Sequence, residues 1–223
     1  MKIISTVVLG LASFGGVSAQ QLVTIPDSVL ITVQFGSANK ELNQLMARVM
    51  NIEKLHFEAH NLALAGKRFH ITFQEYKNGV PEAEKELVDN VERLLSFDKQ
   101  GNFVMDAFSR QATETSVENK FLFTGGMTSK TFKSLPTNAE QYSLRSDIWP
   151  YTAVHKVASP NALATEGQKF PFGKKVPFIV YTLPYEEDGY SLYCSLAQSK
   201  VPIPLWYKKF KIPHFVVYNL IIE

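Results

Sequence analysis

Two stretches in the first third of the chain alternate between apolar and polar side chains, and this period of two restricts the fold more than any other feature. Apolar and polar residues alternate along residues 55–60 and along residues 69–73. Because successive side chains of a strand point to opposite faces, each stretch predicts a strand with one dry and one wet face. Asn78 and Gly79 then predict a tight turn.

Similar short patterns recur, separated by turn-forming residues. We expect further strands at residues 29–33, 82–88, 94–97, 103–108, 120–123, 128–132, 176–183, 190–196 and 215–222. Turn signals predict three hairpins, which join 94–97 to 103–108, 120–123 to 128–132 and 176–183 to 190–196. Residues 81–95 also fit a helix. The last strand is apolar on both faces, which is typical of a central strand.

One segment changes to a helical period. A single apolar stripe is formed at helical spacing by Leu42, Leu45, Met46, Val49 and Met50. This spacing predicts a helix over residues 39–50, with Asn39 as its N-cap and Glu41 favoured in the first turn.

Many short strands and few helices predict a mainly β fold. We expect an antiparallel β-sandwich or open barrel with one or two packed helices. Residues 134–175 contain several prolines and no clean period. A structureless stretch of that length is unusual in a compact domain, so it is expected to be functional or to contain short helices.

The beginning of the chain has the layout of a secretory signal peptide. Lys2 precedes an apolar run over residues 3–11, and small residues at 17–19 precede Gln20. The run is too short to span a bilayer. We therefore expect a signal peptide at 1–19, a single mainly β domain at 20–223, and no transmembrane segment in the mature chain.

Cysteine content indicates the compartment. Cys194 is the only cysteine, so no disulfide forms within the chain. This fits an exported bacterial protein of the periplasm or cell surface better than a eukaryotic secreted domain. The alternation around Cys194 favours a buried thiol.

Charge restricts the expected partners. The formal net charge is +2, which gives no general attraction for nucleic acid. We therefore expect a carbohydrate or protein partner and no nucleic acid.

A metal site is one hypothesis for the wet face of the first alternating stretch. On a strand His56, Glu58 and His60 would share a face, and two histidines with a carboxylate suit zinc or iron. If residues 61–67 closed a hairpin, His70 would lie opposite Glu58. The favoured alternative is a solvated sheet face with no metal and no other cofactor.

Aromatic residues in the irregular and proline-rich segments form a second candidate. Trp149, Tyr151, Trp206 and Tyr207 could stack against sugar rings. The competing explanation is that these side chains anchor loops to the core. The sequence has no G-x-S-x-G, H-E-x-x-H or P-loop motif, and we assign no catalytic residue.

The leader and the segments 68–79, 176–181 and 212–218 together resemble small exported proteins of unknown function from Bacteroidetes-type bacteria. The resemblance implies an exported bacterial protein and transfers no functional residues. We expect a non-enzymatic binding or structural module of the periplasm or cell surface. The alternatives are a metal-binding protein or hydrolase that uses His56, Glu58 and His60, and a carbohydrate-binding module.

Overall fold

The alternating segments form two antiparallel sheets that pack face to face. A computed structural model describes residues 27–88, 95–133, 143–146, 148, 155–157, 165–192, 197 and 199–223. In the residues described, the fold is mainly β with two short α-helices and has the arrangement of a β-sandwich, as the sequence predicted.

The first sheet keeps its outer face in solvent, and we call it the open sheet. Its strands are β1 (Ser28–Phe35), β2 (Glu53–His60), β7 (Asn102–Thr113), β8 (Ser116–Phe123), β9 (Gly126–Lys133), β11 (His155–Val157) and β12 (Thr165–Pro171). Their spatial order is β11-β12-β1-β2-β7-β8-β9. Along β1 the burial alternates strictly from Val29 to Val33, which shows one buried and one wetter face.

The second sheet is buried on both faces over most of its area, and we call it the covered sheet. Its strands are β3 (Arg68–Lys77), β4 (Val80–Pro81), β5 (Lys85–Glu86), β6 (Leu95–Ser96), β10 (Ser143–Arg145), β13 (Val176–Thr182) and β16 (His214–Ile222). The main order is β10-β13-β16-β3-β4, and β5 and β6 also pair with β3. The strands β14 (Tyr185–Glu187) and β15 (Tyr190–Leu192) form a separate ribbon.

The core lies between the two sheets and is rich in phenylalanine. The ring of Phe57 in the open sheet meets the ring of Phe178 in the covered sheet edge to face, with centroids 5.4 Å apart. Phe69 and Phe103 make the same kind of contact at 5.3 Å. Such pairs add specific geometry to the burial of large apolar surfaces.

The strands β2 and β3 do not form the hairpin that would have placed His70 opposite Glu58. β2 pairs with β1 and β7, whereas β3 pairs with β16. Between them a short 3-10 helix, Leu62–Leu64, carries the chain from one sheet to the other, with Asn61 capping it and Leu64 fully buried. The dry faces of the two strands therefore meet across the core.

Two of the three expected hairpins also differ from the structure. β8 pairs with β9 as expected, but β6 pairs with β3 and not with β7. The packing of Phe97 on Phe69, at 4.8 Å between ring centroids, holds this segment against the covered sheet. β15 pairs with β14 and not with β13.

The irregular segment 134–175 contains strands that the sequence pattern did not reveal. β12 runs antiparallel to β1 over seven residue pairs. Its inward side chains include Gln168, which is buried and donates its amide to the carbonyl oxygen of Ser146. Because a polar side chain occupies this inward position, the alternation of apolar and polar residues that predicts a strand is interrupted in β12.

The predicted helix begins where expected. Asn39 accepts a hydrogen bond from the amide of Leu42 at 3.0 Å, and α1 (Lys40–Gln44) continues as a π-helix over Leu45–Val49. Of the apolar stripe only Met46 is buried. The helix therefore presents most of its apolar face to the outside of the described structure.

A second short helix covers the outer face of the covered sheet. The 3-10 turn Ile203–Leu205 leads into α2 (Trp206–Phe210). Trp206 is fully buried, its ring centroid lies 5.3 Å from that of Phe215, and its indole N–H donates to the carbonyl of Val201 at 2.8 Å. In the part of the chain that the structure describes, no helix is long and apolar enough to cross a membrane.

Truncating Trp206 tests whether α2 stabilises the sandwich. We expect Trp206→Ala to lower the free energy of unfolding by about 3–5 kcal/mol, because it leaves a large cavity over Phe215. Urea unfolding followed by circular dichroism measures the change. Leu205→Ala is the control, since Leu205 is 47% exposed. A loss of equal size in both variants would contradict the role given to Trp206.

Candidate functional site

The polar side chains of β2 project from the open sheet into solvent, as the alternation predicted. The antiparallel register places Asp106 of β7 opposite His56. Nδ1 of His56 and Nζ of Lys54 lie 2.7 and 3.0 Å from the same Asp106 oxygen. Burial alone would raise the pKa of the Asp106 carboxyl, but the hydrogen bonds and charges of His56 and Lys54 outweigh it and hold this pKa below its usual value. These three side chains already bind one another.

The residues proposed as metal ligands do not gather around one position. Nε2 of His56 lies 3.9 Å from Oε2 of Glu58, while His70 lies on β3 in the other sheet, 3.4 Å from the carboxylate of Glu223. Zinc ligands must approach within about 2.0–2.2 Å of a shared centre. Among the residues that the structure describes, no three histidine, cysteine or acidic side chains could hold a metal ion together.

A cleft of about 340 Å³ opens between the sheets at the end where β2 finishes. Its apolar walls comprise Phe69, Leu95, Phe97, Phe103, Val104 and Phe123. Its polar rim includes Asp98 and Asn102. We call it the phenylalanine cleft. A concave apolar pocket with a few fixed polar groups is the usual form of a small-molecule site.

Hydrogen bonds fix the rim of the phenylalanine cleft. Asp98 accepts from the backbone amide of Asn102 at 2.8 Å and from its side-chain amide at 2.7 Å. These bonds, led by that from the Asn102 backbone, lower the pKa of Asp98, so its carboxylate is charged at neutral pH. The turn is therefore closed by its own side chains, which makes the rim rigid before any ligand arrives.

His60 of the neighbouring strand is hydrogen-bonded to this rim. The Oδ1 atom of Asn102 is hydrogen-bonded to Nδ1 of His60. Because Nδ2 of Asn102 donates to Asp98, Oδ1 is the acceptor and His60 donates from Nδ1. In neutral His60 this tautomer leaves Nε2 as the acceptor nitrogen that a ligand could use. Asp98, Asn102 and His60 form what we call the rim triad.

The aromatic residues proposed as sugar contacts do not form one exposed patch in the described residues. Trp206 is fully buried, so its indole face is taken up by core packing. Tyr207 is half-buried and lies against Gly79, which adopts a positive φ of 81° in the turn after β3 and where an added Cβ would lie 2.7 Å from the Tyr207 ring. Trp149 and Tyr151 lie outside the described residues.

A buried contact between a carboxylate on β3 and a histidine on β16 was not predicted. Nε2 of His214, which is 1% exposed, lies 2.9 Å from a carboxylate oxygen of Glu75. Burial alone would raise the pKa of Glu75, but the hydrogen bond and charge of His214, together with Lys77, lower it overall. The pair sits at inward positions among aromatic rings, including that of Phe132.

Sequence could have indicated part of this arrangement. The turn at residues 98–101 was predicted, and an aspartate that opens a turn often accepts from backbone amides two to four residues later. Nothing in the alternation shows that this turn meets His60, because that contact depends on the pairing of β2 with β7. The pairing of Glu75 with His214 likewise needs two strands about 140 residues apart to be neighbours.

Comparison with protein-family models gives no match to this chain, and comparisons with curated proteins and with solved structures find no similar protein.

The Glu75–His214 pair makes stability depend on pH. Because the folded pKa of Glu75 is lowered, its contribution is fully present above the unfolded value near 4.5 and is lost as the pH falls through the folded pKa. We expect Glu75→Gln to cost about 1–3 kcal/mol at pH 7, since it removes a charged hydrogen bond. The difference from wild type should shrink at pH 3.5.

Urea unfolding at both pH values measures this difference. Glu82→Gln is the matched control, because Glu82 also lies near Lys77 but its side chain is 52% exposed. If Glu75→Gln destabilised the protein as much at pH 3.5 as at pH 7, or more, the lowered pKa assigned to Glu75 would be contradicted.

Proposed function

We propose that the chain is an exported bacterial protein that works as a non-enzymatic binding module, and that the phenylalanine cleft is its ligand site. The rim triad is the single observation that carries this proposal. It holds the Asp98 carboxylate and the Asn102 amide in fixed positions on the rim of the cleft, with the His60 imidazole hydrogen-bonded to Asn102. Preorganised polar groups lower the cost of ordering a site on binding.

The chemistry of the cleft favours a carbohydrate as ligand. Sugar rings have apolar faces and hydroxyl edges, and they need apolar surface beside fixed donors and acceptors. The Asp98 carboxylate can accept from a hydroxyl group, and so can Nε2 of neutral His60. The volume of about 340 Å³ suits one or two sugar rings better than a folded partner.

Export is supported by the sequence. The leader at residues 1–19, the single cysteine and the resemblance to exported Bacteroidetes-type proteins all favour the periplasm or cell surface. A module held together by packing alone suits an envelope in which no disulfide is needed. Trp149 and Tyr151 remain a separate hypothesis for a sugar contact.

Processing of the N-terminus tests export. We expect the protein recovered from the periplasm or medium of an expressing bacterium to begin at Gln20, because the small residues 17–19 form the cleavage site. Intact-mass spectrometry measures this directly. Deletion of residues 2–19 should leave the protein in the cytoplasm. An exported protein that retains its first residues, or a cytoplasmic full-length chain, would contradict the proposal.

Titration with a panel of oligosaccharides tests the ligand site. We expect chemical-shift changes in NMR spectra to centre on Asn102 and Phe103. His60→Ala should weaken binding roughly two- to tenfold, the usual value of one hydrogen bond. His56→Ala is the matched control, because His56 lies on the same strand face but its ring is bound to Asp106.

Trp149→Ala separates the two carbohydrate hypotheses. Loss of binding in Trp149→Ala with full binding in His60→Ala would move the site away from the phenylalanine cleft. No shift with any sugar in the panel would leave the cleft without a carbohydrate role and contradict the proposal.

A further inference from the structure

Both α-helices lie at the same end of the sandwich, which we call the helix end. α1 leads into β2, whose first residue, Glu53, accepts from the hydroxyl of Ser143 at 2.8 Å. In the covered sheet Ser143 lies opposite Thr182, and Thr182 lies opposite Phe215. Phe215 in turn packs on Trp206 of α2. The phenylalanine cleft lies at the opposite end, where β2 finishes.

Exposed apolar side chains are concentrated at the helix end. Twelve large apolar side chains in the described residues are exposed, and seven of them lie at this end. These seven are Leu42, Leu45, Val49, Met50, Val80, Tyr190 and Leu205. Single exposed apolar residues are ordinary, but a concentration of them marks an interaction surface.

The helix end also carries cations that are not neutralised. Lys200, Lys208, Lys209 and Lys211 form no ion pair with any residue that the structure describes. These four residues, which we call the free lysines, lie within twelve residues of the sequence and concentrate positive charge around α2.

Apolar and cationic side chains share one face of the segment around α2. Trp206 is buried and Phe210 is half-buried, and they mark the inner side of the helix. Leu205 and Lys209 are four residues apart on the outer side, and both are exposed. Residues at this spacing lie one above the other on a helix, so an apolar side chain and a lysine point outward together.

We propose that the helix end binds peripherally to a bilayer that contains anionic lipids. The apolar side chains of α1 and its π-helical continuation enter the boundary between headgroups and acyl chains. The ammonium groups of the free lysines contact lipid phosphates. This combination of apolar and basic residues on one surface is typical of proteins that lie on a membrane.

A bilayer that contains anionic lipids fits this surface better than nucleic acid or a protein partner does. Nucleic acid binding would use the lysines but would leave the apolar side chains in water. Protein interfaces are depleted in lysine relative to the rest of the surface. Only a lipid surface offers both an apolar layer and a dense array of phosphates.

Vesicle cosedimentation tests the proposal. Residues 1–223 are expressed, and all variants are compared in the processed form that the host yields. We expect binding to vesicles of 30% phosphatidylglycerol in phosphatidylcholine, with much weaker binding to phosphatidylcholine alone. Lys208→Gln/Lys209→Gln should weaken binding to the anionic vesicles about 25-fold, since each lysine near such a surface contributes about fivefold.

Leu45→Ser/Val49→Ser tests the apolar contribution. Both side chains are exposed, so the fold should be retained, and binding to either kind of vesicle should fall about tenfold or more. The matched controls lie at the opposite end: Lys99→Gln/Lys174→Gln for charge and Leu62→Ser for apolar surface. All of these controls should bind vesicles as wild type does.

Several outcomes would overturn the proposal. Absence of binding to the anionic vesicles is one, and equal losses in the control variants are another. In a third outcome the protein binds no vesicles but self-associates in the ultracentrifuge, and Leu45→Ser/Val49→Ser abolishes this self-association. That outcome would assign the surface to a second copy of the chain. The oligosaccharide titration probes the opposite end, so either proposal can fail while the other holds.

Discussion

Burial of β16 on both faces is the constraint on which the rest of the structure depends. A strand with no wet face needs a layer on each side. The open sheet supplies the inner layer, where Phe121 packs on Tyr218 with ring centroids 4.8 Å apart. The outer layer is supplied by shorter elements, since Trp206 of α2 packs on Phe215 with ring centroids 5.3 Å apart. With one cysteine in the chain, this packing has no disulfide to assist it, so the outer cover stabilises the fold as directly as the core does.

Buried polar groups determine how these layers align. Asn119 of the open sheet donates to the hydroxyl of Tyr218 at 2.8 Å, which links the two sheets at a point where both side chains are fully buried. On the outer side, the Glu84 carboxylate accepts from Thr72, Asn219 and Lys175 and holds the segment before β5 against β3 and β16. A buried polar group without a partner is costly. A shift of register in β16 would separate both sets of partners, so these bonds select one alignment among the many that apolar packing alone would tolerate.

The features of this structure that its sequence predicts are those that depend on short-range interactions. Alternation and capping are local, so the strands β2, β3 and β16 and the N-cap at Asn39 were predicted. The partner of each strand depends on distant residues, so the expected hairpin between β2 and β3 was wrong. β12 was missed because Gln168 points inward, and the pair Glu75–His214 because its members are far apart in sequence. For the candidate site, the turn at 98–101 could be predicted, but its contact with His60 could not, because it exists only when β2 and β7 are neighbours.

The same packing explains why the two ends of the sandwich, and not its faces, carry the surfaces proposed for binding. Both faces of the covered sheet are occupied by other parts of the chain. On the open sheet, Lys54, His56 and Asp106 already bind one another, so a ligand would first have to break those bonds. At the ends, strands stop and their connections turn, which leaves side chains that no neighbouring strand can satisfy. One end has the rim triad at the phenylalanine cleft, and the other has an apolar helix face and the free lysines. A sugar and a lipid surface need different chemistry, and the two ends separate that chemistry along the length of the strands.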